Sequence, residues 1–174
     1  METIELIPLS GIRYRDKMIA LTATPQEVET LLGAPYARHH YSLYYFQNEL
    51  RFDFDKNDRL QYIEFLAGID GQIQPQIYGV CAFQTGADDL FALLCAKNDG
   101  EINDSEHGYS YGFPNISVGI FRPRTPEAVE DMIEDAKEDG EPMDEEDIAF
   151  EMRKAAHWAT IGIGIADYYR TAPK

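Results

Sequence analysis

The chain has 174 residues, of which 44% are hydrophobic and 12% aromatic, so it can bury a core and does not have the composition of a disordered protein. Its formal net charge of −16 disfavours binding to a nucleic-acid backbone, because phosphate contacts require lysine and arginine. No apolar run approaches the roughly 18 residues of a membrane span, and the N-terminus lacks the basic start and apolar stretch of a secretory signal.

The first half of the chain predicts one helix followed by three antiparallel strands. The helix begins at Thr24, whose capping box with Glu27 precedes an apolar stripe, and it ends at Gly33. Strands are predicted where apolar residues cluster or alternate with polar ones, at 41–46, 50–54 and 60–66. Two shorter apolar runs, at 4–9 and 18–21, precede the helix, and we expect the first of them to be an edge strand.

The second half repeats this plan after a loop at 67–76. A strand is predicted at 77–83, and Thr85 is the candidate N-cap of a helix that is apolar on almost all sides. Further strands are predicted at 109–113, 116–121 and 156–165. In the last strand the isoleucines share one face, whereas Gly162 and Gly164 leave the other face bare, so we expect either that another element approaches that face closely or that the strand has a bulge there.

These elements predict an α+β fold in a single domain, 1–174. Two tandem helix–β-meander modules, about 1–67 and 77–165, form an antiparallel sheet with the helices packed on one face. An acidic helical insertion, about 125–155, precedes the last strand of the second module.

The inserted stretch Glu127–Glu151 concentrates negative charge. It contains thirteen carboxylates and one cation, Lys137, which gives it a local formal charge of −12 out of −16 for the chain. Helix starts at Thr125 and Asp144 predict two short helices, docked by apolar stripes with their carboxylates facing outward. Gathered charge of this kind bears on partners, solubility and association rate, and a merely solubilising surface is the alternative interpretation.

A calcium-loop pattern occurs in the first module. Asp53, Asp55, Asn57 and Glu64 fall at positions one, three, five and twelve of that pattern, but Asp58 occupies the sixth position, where glycine is needed. The flanking sequence alternates as strands do, so we expect a β-hairpin with exposed carboxylates rather than a metal site.

Residues for covalent catalysis are not marked by the sequence. Ser110 and His107 are close along the chain, but no group that would orient them is evident. Cys81 and Cys95 lack basic neighbours and do not make a disulfide framework, so we expect reduced core cysteines in a cytoplasmic protein. We therefore expect a protein that is not an enzyme, with no catalytic residue, no metal and no cofactor; a hydrolase or cation-dependent enzyme is an open alternative.

The run from Thr24 to Pro35 (TPQEVETLLGAP), followed by Tyr44-Tyr45-Phe46, resembles the helix–strand module shared by the outer-membrane assembly lipoprotein BamE and the β-lactamase inhibitory proteins. Two such modules in tandem at this length resemble the inhibitory proteins most, and there the concave sheet grips a partner enzyme. This chain departs from both in lacking a signal peptide and paired disulfides. A small acidic cytoplasmic protein of this build also resembles the immunity proteins of bacterial toxin systems, including contact-dependent inhibition.

Charge and resemblance together predict a non-enzymatic immunity or inhibitor protein that binds a basic toxin domain, such as a nuclease, and neither nucleic acid nor membrane. Many such toxins are basic because they hold phosphate, and complementary charge raises association rates to about 10⁸–10⁹ M⁻¹s⁻¹ at low salt. A generic protein-interaction module is the alternative. The predicted contact residues are Glu130, Asp131, Glu134, Asp135, Glu138, Asp139, Glu145, Glu146, Tyr109 and Tyr111.

Overall fold

Short strands supply most of the elements of the described fold, and four α-helices accompany them between residues 2 and 170. The structure, a computed structural model, describes residues 2–170. Its strands are β1 (Glu2–Ile7), β2 (Gly11–Tyr14), β3 (Lys17–Ala20), β4 (Ala37–His39), β5 (Ser42–Tyr45), β6 (Leu50–Phe54), β7 (Leu60–Phe65), β8 (Ile73–Ile77), β9 (Val80–Cys81), β10 (Asn103–Glu106), β11 (Ser110–Phe113), β12 (Val118–Phe121) and β13 (Thr160–Gly164). Its α-helices are α1 (Pro25–Leu32), α2 (Ala87–Asn98), α3 (Pro126–Glu138) and α4 (Glu145–Ala155).

The larger sheet has the order β10-β11-β12-β13-β7-β6-β5-β4, with every neighbouring pair antiparallel. Each half of the chain supplies four consecutive strands, and the last strand of each half, β7 and β13, meet at the centre. A helix precedes each run of strands, which confirms the α+β fold and its helix-then-meander plan. Each run has one strand more than predicted, β4 and β10, because these short edge strands are largely exposed and carry no apolar alternation.

A second sheet, with the order β3-β2-β1-β8-β9, was not predicted as a separate sheet. Strand β1 lies at its centre, antiparallel to β2 and parallel to β8, so the prediction of an edge strand at 4–9 is wrong. The predicted loop at 67–76 contains most of β8, whose Pro75 and neighbouring glycines read as loop sequence. The predicted strand at 77–83 contributes chiefly the two residues of β9.

One apolar core joins both sheets to α1 and α2. Strand β6 shows how the pattern works, because Leu50, Phe52 and Phe54 are buried while Arg51 and Asp53 lie on the opposite face. Burying each such large apolar side chain contributes roughly 1.5–3 kcal/mol. The largest fully buried side chains are Trp158, Phe52, Phe65, Phe83 and Phe113.

The helix starts follow the capping rules at α1 but not at α2. At α1 the backbone N–H of Glu27 donates to Thr24 Oγ1 (3.3 Å) and the N–H of Thr24 donates to Glu27 Oε2 (2.7 Å), which confirms the predicted capping box. At α2 the N-cap is Gly86 instead of Thr85, because the Thr85 hydroxyl donates to the carbonyl of Cys81 at 2.8 Å. Within residues 2–170, every helix is too short or too polar to traverse a bilayer.

Candidate functional site

The acidic insertion forms a helical hairpin, α3 and α4 with their connection (126–155), which we call the acidic hairpin. Both of its helices begin where the sequence predicts. The Thr125 hydroxyl accepts from the N–H of Ala128 at 3.2 Å, and the Asp144 carboxylate accepts from the N–H of Asp147 at 2.8 Å. The hairpin interrupts the connection between β12 and β13, so it departs from one central strand of the larger sheet and returns to the next.

The two helices pack against each other and direct their charge outward. Their apolar positions are buried or half-buried: Val129, Met132, Ile133, Ala136, Met143, Ile148, Met152 and Ala155. The eight carboxylates predicted to contact a partner are all exposed: Glu130, Asp131, Glu134, Asp135, Glu138, Asp139, Glu145 and Glu146. Among the thirteen carboxylates of the stretch, Glu151 is the one that forms an ion pair within residues 2–170, with Arg124 at 2.7 Å.

Arg122 fixes the base of the acidic hairpin to the core. Its side chain is buried, and its guanidinium donates to the carbonyls of Ala155 (2.7 Å) and Gly108 (2.8 Å) and lies 4.9 Å from the ring centroid of Trp158. The Trp158 indole in turn donates to the carbonyl of Ala87 at 2.9 Å. A buried cation with carbonyl partners on two segments ties both ends of the hairpin to the sheet and to α2.

Ion pairs and a cavity lie on the other side of the hairpin base. Arg153 of α4 reaches Asp70 at 2.6 Å, and the pair Arg124–Glu151 lies nearby. Asp70, Arg124 and Glu151 line a cavity of about 170 Å³ between α4, the turn after β7 and Trp158. All four charged side chains are a fifth or more exposed, so these pairs position α4 more than they stabilise it.

The two tyrosines predicted near the acidic residues occupy different environments. Tyr109 is 37% exposed at the turn before β11. Tyr111 is 8% exposed, with its ring against Phe91 and Trp158 and its hydroxyl accepting from the N–H of Gly108 at 2.9 Å. Tyr111 is thus a core residue, because its register partner is the buried Ile120, and it is not available to a partner.

The outer face of the larger sheet, opposite the core, holds a second group of functional interest. One register row crosses all eight strands on this face: Asn103, Gly112, Gly119, Gly162, Glu64, Arg51, Tyr44 and Ala37. Gly112, Gly119 and Gly162 lie side by side in one half of the row, so the row itself places no side chain over the sheet there. The other half contains the charged residues Glu64 and Arg51.

Two tyrosines that follow β13, Tyr168 and Tyr169, cover much of this glycine surface. The Tyr168 ring stacks on Tyr62 with centroids 4.6 Å apart, and the Tyr169 hydroxyl donates to the Tyr62 hydroxyl at 2.9 Å. A Cβ atom at Gly162 would collide with the Tyr62 ring, and one at Gly119 would collide with Tyr169. The predicted close approach of another element to the bare glycine face is therefore confirmed.

The charged half of the row centres on Arg51. Its Nη2 atom lies 2.7 Å from Glu64, and its Nε atom lies 3.1 Å from Asp53 without hydrogen-bond geometry. Burial raises the pKa of the Glu64 carboxyl, and Arg51 opposes that rise. Burial also raises the pKa values of Tyr62 and Tyr169. Two carboxylates flank one guanidinium, so Asp53, Arg51 and Glu64 together carry a formal charge of −1.

The calcium-loop pattern falls on the predicted hairpin, formed by β6 and β7. Asp53 and Glu64 flank Arg51, while the Asp55 carboxylate accepts the N–H groups of Asn57 (2.8 Å) and Arg59 (2.9 Å) in the turn. Those two backbone bonds lower the pKa of Asp55. In the described part of the chain, no three His, Cys, Asp or Glu side chains converge as a metal site would require.

Sequence reasoning did not select Glu64, Arg51 and Tyr169 as a group. The three lie far apart along the chain, and only the pairing of β7 with both β6 and β13 brings them together. The signal that could have found them is the alternation of glycine with isoleucine in 161–165, which marks a face that something else must cover. Comparison with known proteins gives no relative: no family model matches the chain, and neither a curated protein nor a solved structure matches it.

Proposed function

We propose that this chain is a non-enzymatic inhibitor of the immunity-protein kind, which binds and neutralises a basic toxin domain in the cytoplasm. The acidic hairpin carries the proposal. Its stretch Glu127–Glu151 gathers a formal charge of −12 in 25 residues, and its eight predicted contact carboxylates are exposed. A fold has no need of such charge, because self-repulsion opposes the compact state.

The charge is held in place rather than spread along a loose tail. The apolar stripes of α3 and α4 face each other, and Arg122 ties the hairpin base to the core. A preorganised surface loses less conformational entropy on binding than a disordered acidic segment does. A cationic partner therefore meets a fixed field, which favours fast association at low salt.

Exposed aromatic side chains supply contacts of a second kind. Phe150 lies on α4 with 44% of its surface exposed, and Tyr109 is exposed at the sheet edge near the N-terminus of α3. Aromatic residues are favoured anchors in protein interfaces, where they lengthen the lifetime of a complex. In this proposal the carboxylates speed the association of the partner, and the aromatic rings slow its dissociation.

The test compares two variants with the same change in net charge. The hairpin-neutral variant carries Glu130→Gln, Asp131→Asn, Glu134→Gln, Asp135→Asn, Glu138→Gln, Asp139→Asn, Glu145→Gln and Glu146→Gln. The outside-neutral variant removes eight exposed carboxylates elsewhere, by Asp16→Asn, Asp58→Asn, Asp88→Asn, Asp89→Asn, Asp99→Asn, Glu101→Gln, Asp104→Asn and Glu106→Gln.

The partner is captured on the immobilised wild-type chain from a lysate of the source cell at low salt, and its association kinetics are then measured. We expect the hairpin-neutral variant to associate at least about tenfold more slowly and with a flatter salt dependence, because steering is removed. The outside-neutral variant should stay within about threefold of wild type at moderate ionic strength, where distant charges are screened. Equal rates for all three proteins would reject the role of the hairpin.

A growth assay separates an immunity protein from a generic interaction module. The captured partner is produced in a host with either wild-type chain or the hairpin-neutral variant. An immunity protein restores growth as wild type and fails to do so as the variant. A partner that is harmless without the chain would contradict the proposal.

A further inference from the structure

A pocket of about 150 Å³ opens on the outer face of the larger sheet, outside the acidic hairpin. Gly119 belongs to its lining, and the absent side chain there lets the Tyr169 ring lie directly against the strand as one wall of the pocket. Tyr62, Tyr169 and Phe121 contribute aromatic rings to its lining. A cavity of this volume accommodates a guest of about benzene size.

The polar lining of the pocket consists of hydrogen-bond acceptors and one carboxyl. Glu64, Ser110 and Thr160 all line it, and the hydroxyls of Ser110 and Thr160 accept as well as donate. Among residues 2–170, no lysine or arginine belongs to its lining. Arg51 lies on the far side of Glu64, because β6 and β13 flank β7 on opposite sides.

The local charge is not balanced by Arg51. That guanidinium lies within 3.1 Å of both Asp53 and Glu64, so two carboxylates share one cation. The charged groups facing Glu64 are thus Arg51 and Asp53, and the titratable hydroxyls near it are those of Tyr62, Tyr168 and Tyr169. A cation in the pocket would restore neutrality and relieve the burial penalty that Glu64 pays.

We propose that this pocket binds a small organic cation, an alkylguanidinium or alkylammonium group, between the Glu64 carboxylate and the rings of Tyr62, Tyr169 and Phe121. Aromatic rings within about 6 Å attract such cations through their quadrupoles, and the attraction grows when water is excluded. Guanidinium N–H groups have the acceptors they need in Glu64, Ser110 and Thr160. The cation can be a free molecule or the side chain of a lysine or arginine in another protein.

The test titrates N-ethylguanidinium into the isotope-labelled protein at constant ionic strength and follows amide NMR signals. We expect saturable shifts concentrated at Gly119, Thr160 and Gly162, with a dissociation constant on the order of millimolar. N-ethylurea, which has the same shape without the charge, should give no saturable shift at the same concentrations. Equal responses to both compounds, or no saturation with guanidinium, would overturn the proposal.

Variants locate the binding within the pocket. Glu64→Gln should weaken binding by about tenfold or more, because it removes the charge and keeps the shape. Phe121→Ala, at a ring that is 40% exposed and need not support the fold, should weaken it by about threefold. Asp88→Asn is the matched control, an exposed carboxylate outside the pocket lining, and should leave the constant unchanged. Unaltered binding by both pocket variants would overturn the assignment.

Two further arms identify the source of the cation and separate this site from the acidic hairpin. A blocked Gly-Arg-Gly peptide that binds as tightly as N-ethylguanidinium supports the site and admits a protein side chain. A peptide that fails where the free cation succeeds supports the site and restricts it to small molecules. The hairpin-neutral variant should bind N-ethylguanidinium as wild type does, so failure of the proposed function leaves this result standing.

Discussion

Tyr168 stacks face to face on Tyr62, with ring centroids 4.6 Å apart and ring planes within 4° of parallel. Tyr62 lies in the first module and Tyr168 follows the last strand of the second, 106 positions later in the sequence. Their contact covers the seam where β7 meets β13, and the adjacent Tyr169 adds a hydrogen bond to Tyr62 at the same place. The segment after β13 therefore joins the two halves of the larger sheet on the face opposite the core.

A methyl group at Gly162 should disrupt this seam. Gly162→Ala places a Cβ atom in the space of the buried Tyr62 ring, which cannot swing away without losing its stacking partner. We expect a loss of about 1–3 kcal/mol in the free energy of unfolding, measured by urea denaturation.

Gly86→Ala is the control for this substitution. Gly86 has an ordinary backbone φ of −54°, and its Cβ would meet the nearest side-chain atom at 3.6 Å. Because Gly86 is the N-cap of α2, where alanine is disfavoured, Gly86→Ala should cost about 0.5–1 kcal/mol, less than Gly162→Ala. Equal losses in the two variants would show that the tyrosine contact does not set the cost of Gly162→Ala.

The tyrosine seam also marks the limit of what the sequence could predict. Period-two alternation predicts β6, and the capping box of Thr24 and Glu27 predicts the start of α1, because both patterns involve residues only a few positions apart. The bare glycine face predicted an approach but not the residue that approaches. Tyr169 follows β13 and reaches Gly119 on the paired strand β12, 50 positions earlier in the sequence, and no local pattern encodes that contact.

The misassigned segments fail for a related reason. Strand β8 carries Pro75, which reads as loop sequence, yet parallel pairing with β1 holds it in a sheet. Tyr111 is predicted as a contact residue, whereas the structure buries it. Its burial depends on α2 and Trp158 packing above it, which is tertiary information. The exposure of the acidic hairpin, in contrast, followed from its helical periodicity alone.

Tyr169→Phe should separate the hydroxyl from the ring. The variant loses the hydrogen bond to Tyr62 and keeps the ring above the glycines, so we expect about 1 kcal/mol of destabilisation in urea denaturation. Tyr169→Ala also loses the packing of the ring and should cost about 2–3 kcal/mol. A larger effect for phenylalanine than for alanine would contradict this partition.

Arg122→Leu should loosen the acidic hairpin from the core. The substitution leaves the carbonyls of Ala155 and Gly108 without their buried donor, so we expect the free energy of unfolding to fall by about 3 kcal/mol. Relative to wild type, amide exchange should accelerate more in α4 than in β7. Arg124→Leu is the control, because its ion pair with Glu151 is partly exposed and should contribute less than about 1 kcal/mol. Equal costs would assign the anchoring to general charge loss.

The repulsion within the acidic hairpin should be visible in the free protein. Raising the salt concentration from about 20 to about 500 mM screens the thirteen carboxylates, so the melting temperature of wild type should rise. The rise should be smaller in the hairpin-neutral variant than in the outside-neutral variant, although both have lost eight charges. Identical salt responses would mean that the helices do not concentrate the repulsion.

The buried carboxyl of Glu64 should leave a signature in the pH dependence of stability. Its folded-state pKa is raised above the ordinary value of 4.5 chiefly by burial, so between these values the folded chain binds more protons than the unfolded one. Stability therefore falls as pH rises through that window, and the loss is complete above the folded-state pKa.

Glu64→Gln has no such loss, so its stability relative to wild type should increase across the window and then level off. Carboxyls with lowered pKa values, such as Asp55, act in both proteins and cancel in the difference. Urea denaturation of the two proteins from about pH 4 to pH 8 measures the difference between their free energies of unfolding. If that difference does not change with pH, Arg51 fully offsets the effect of burial on Glu64.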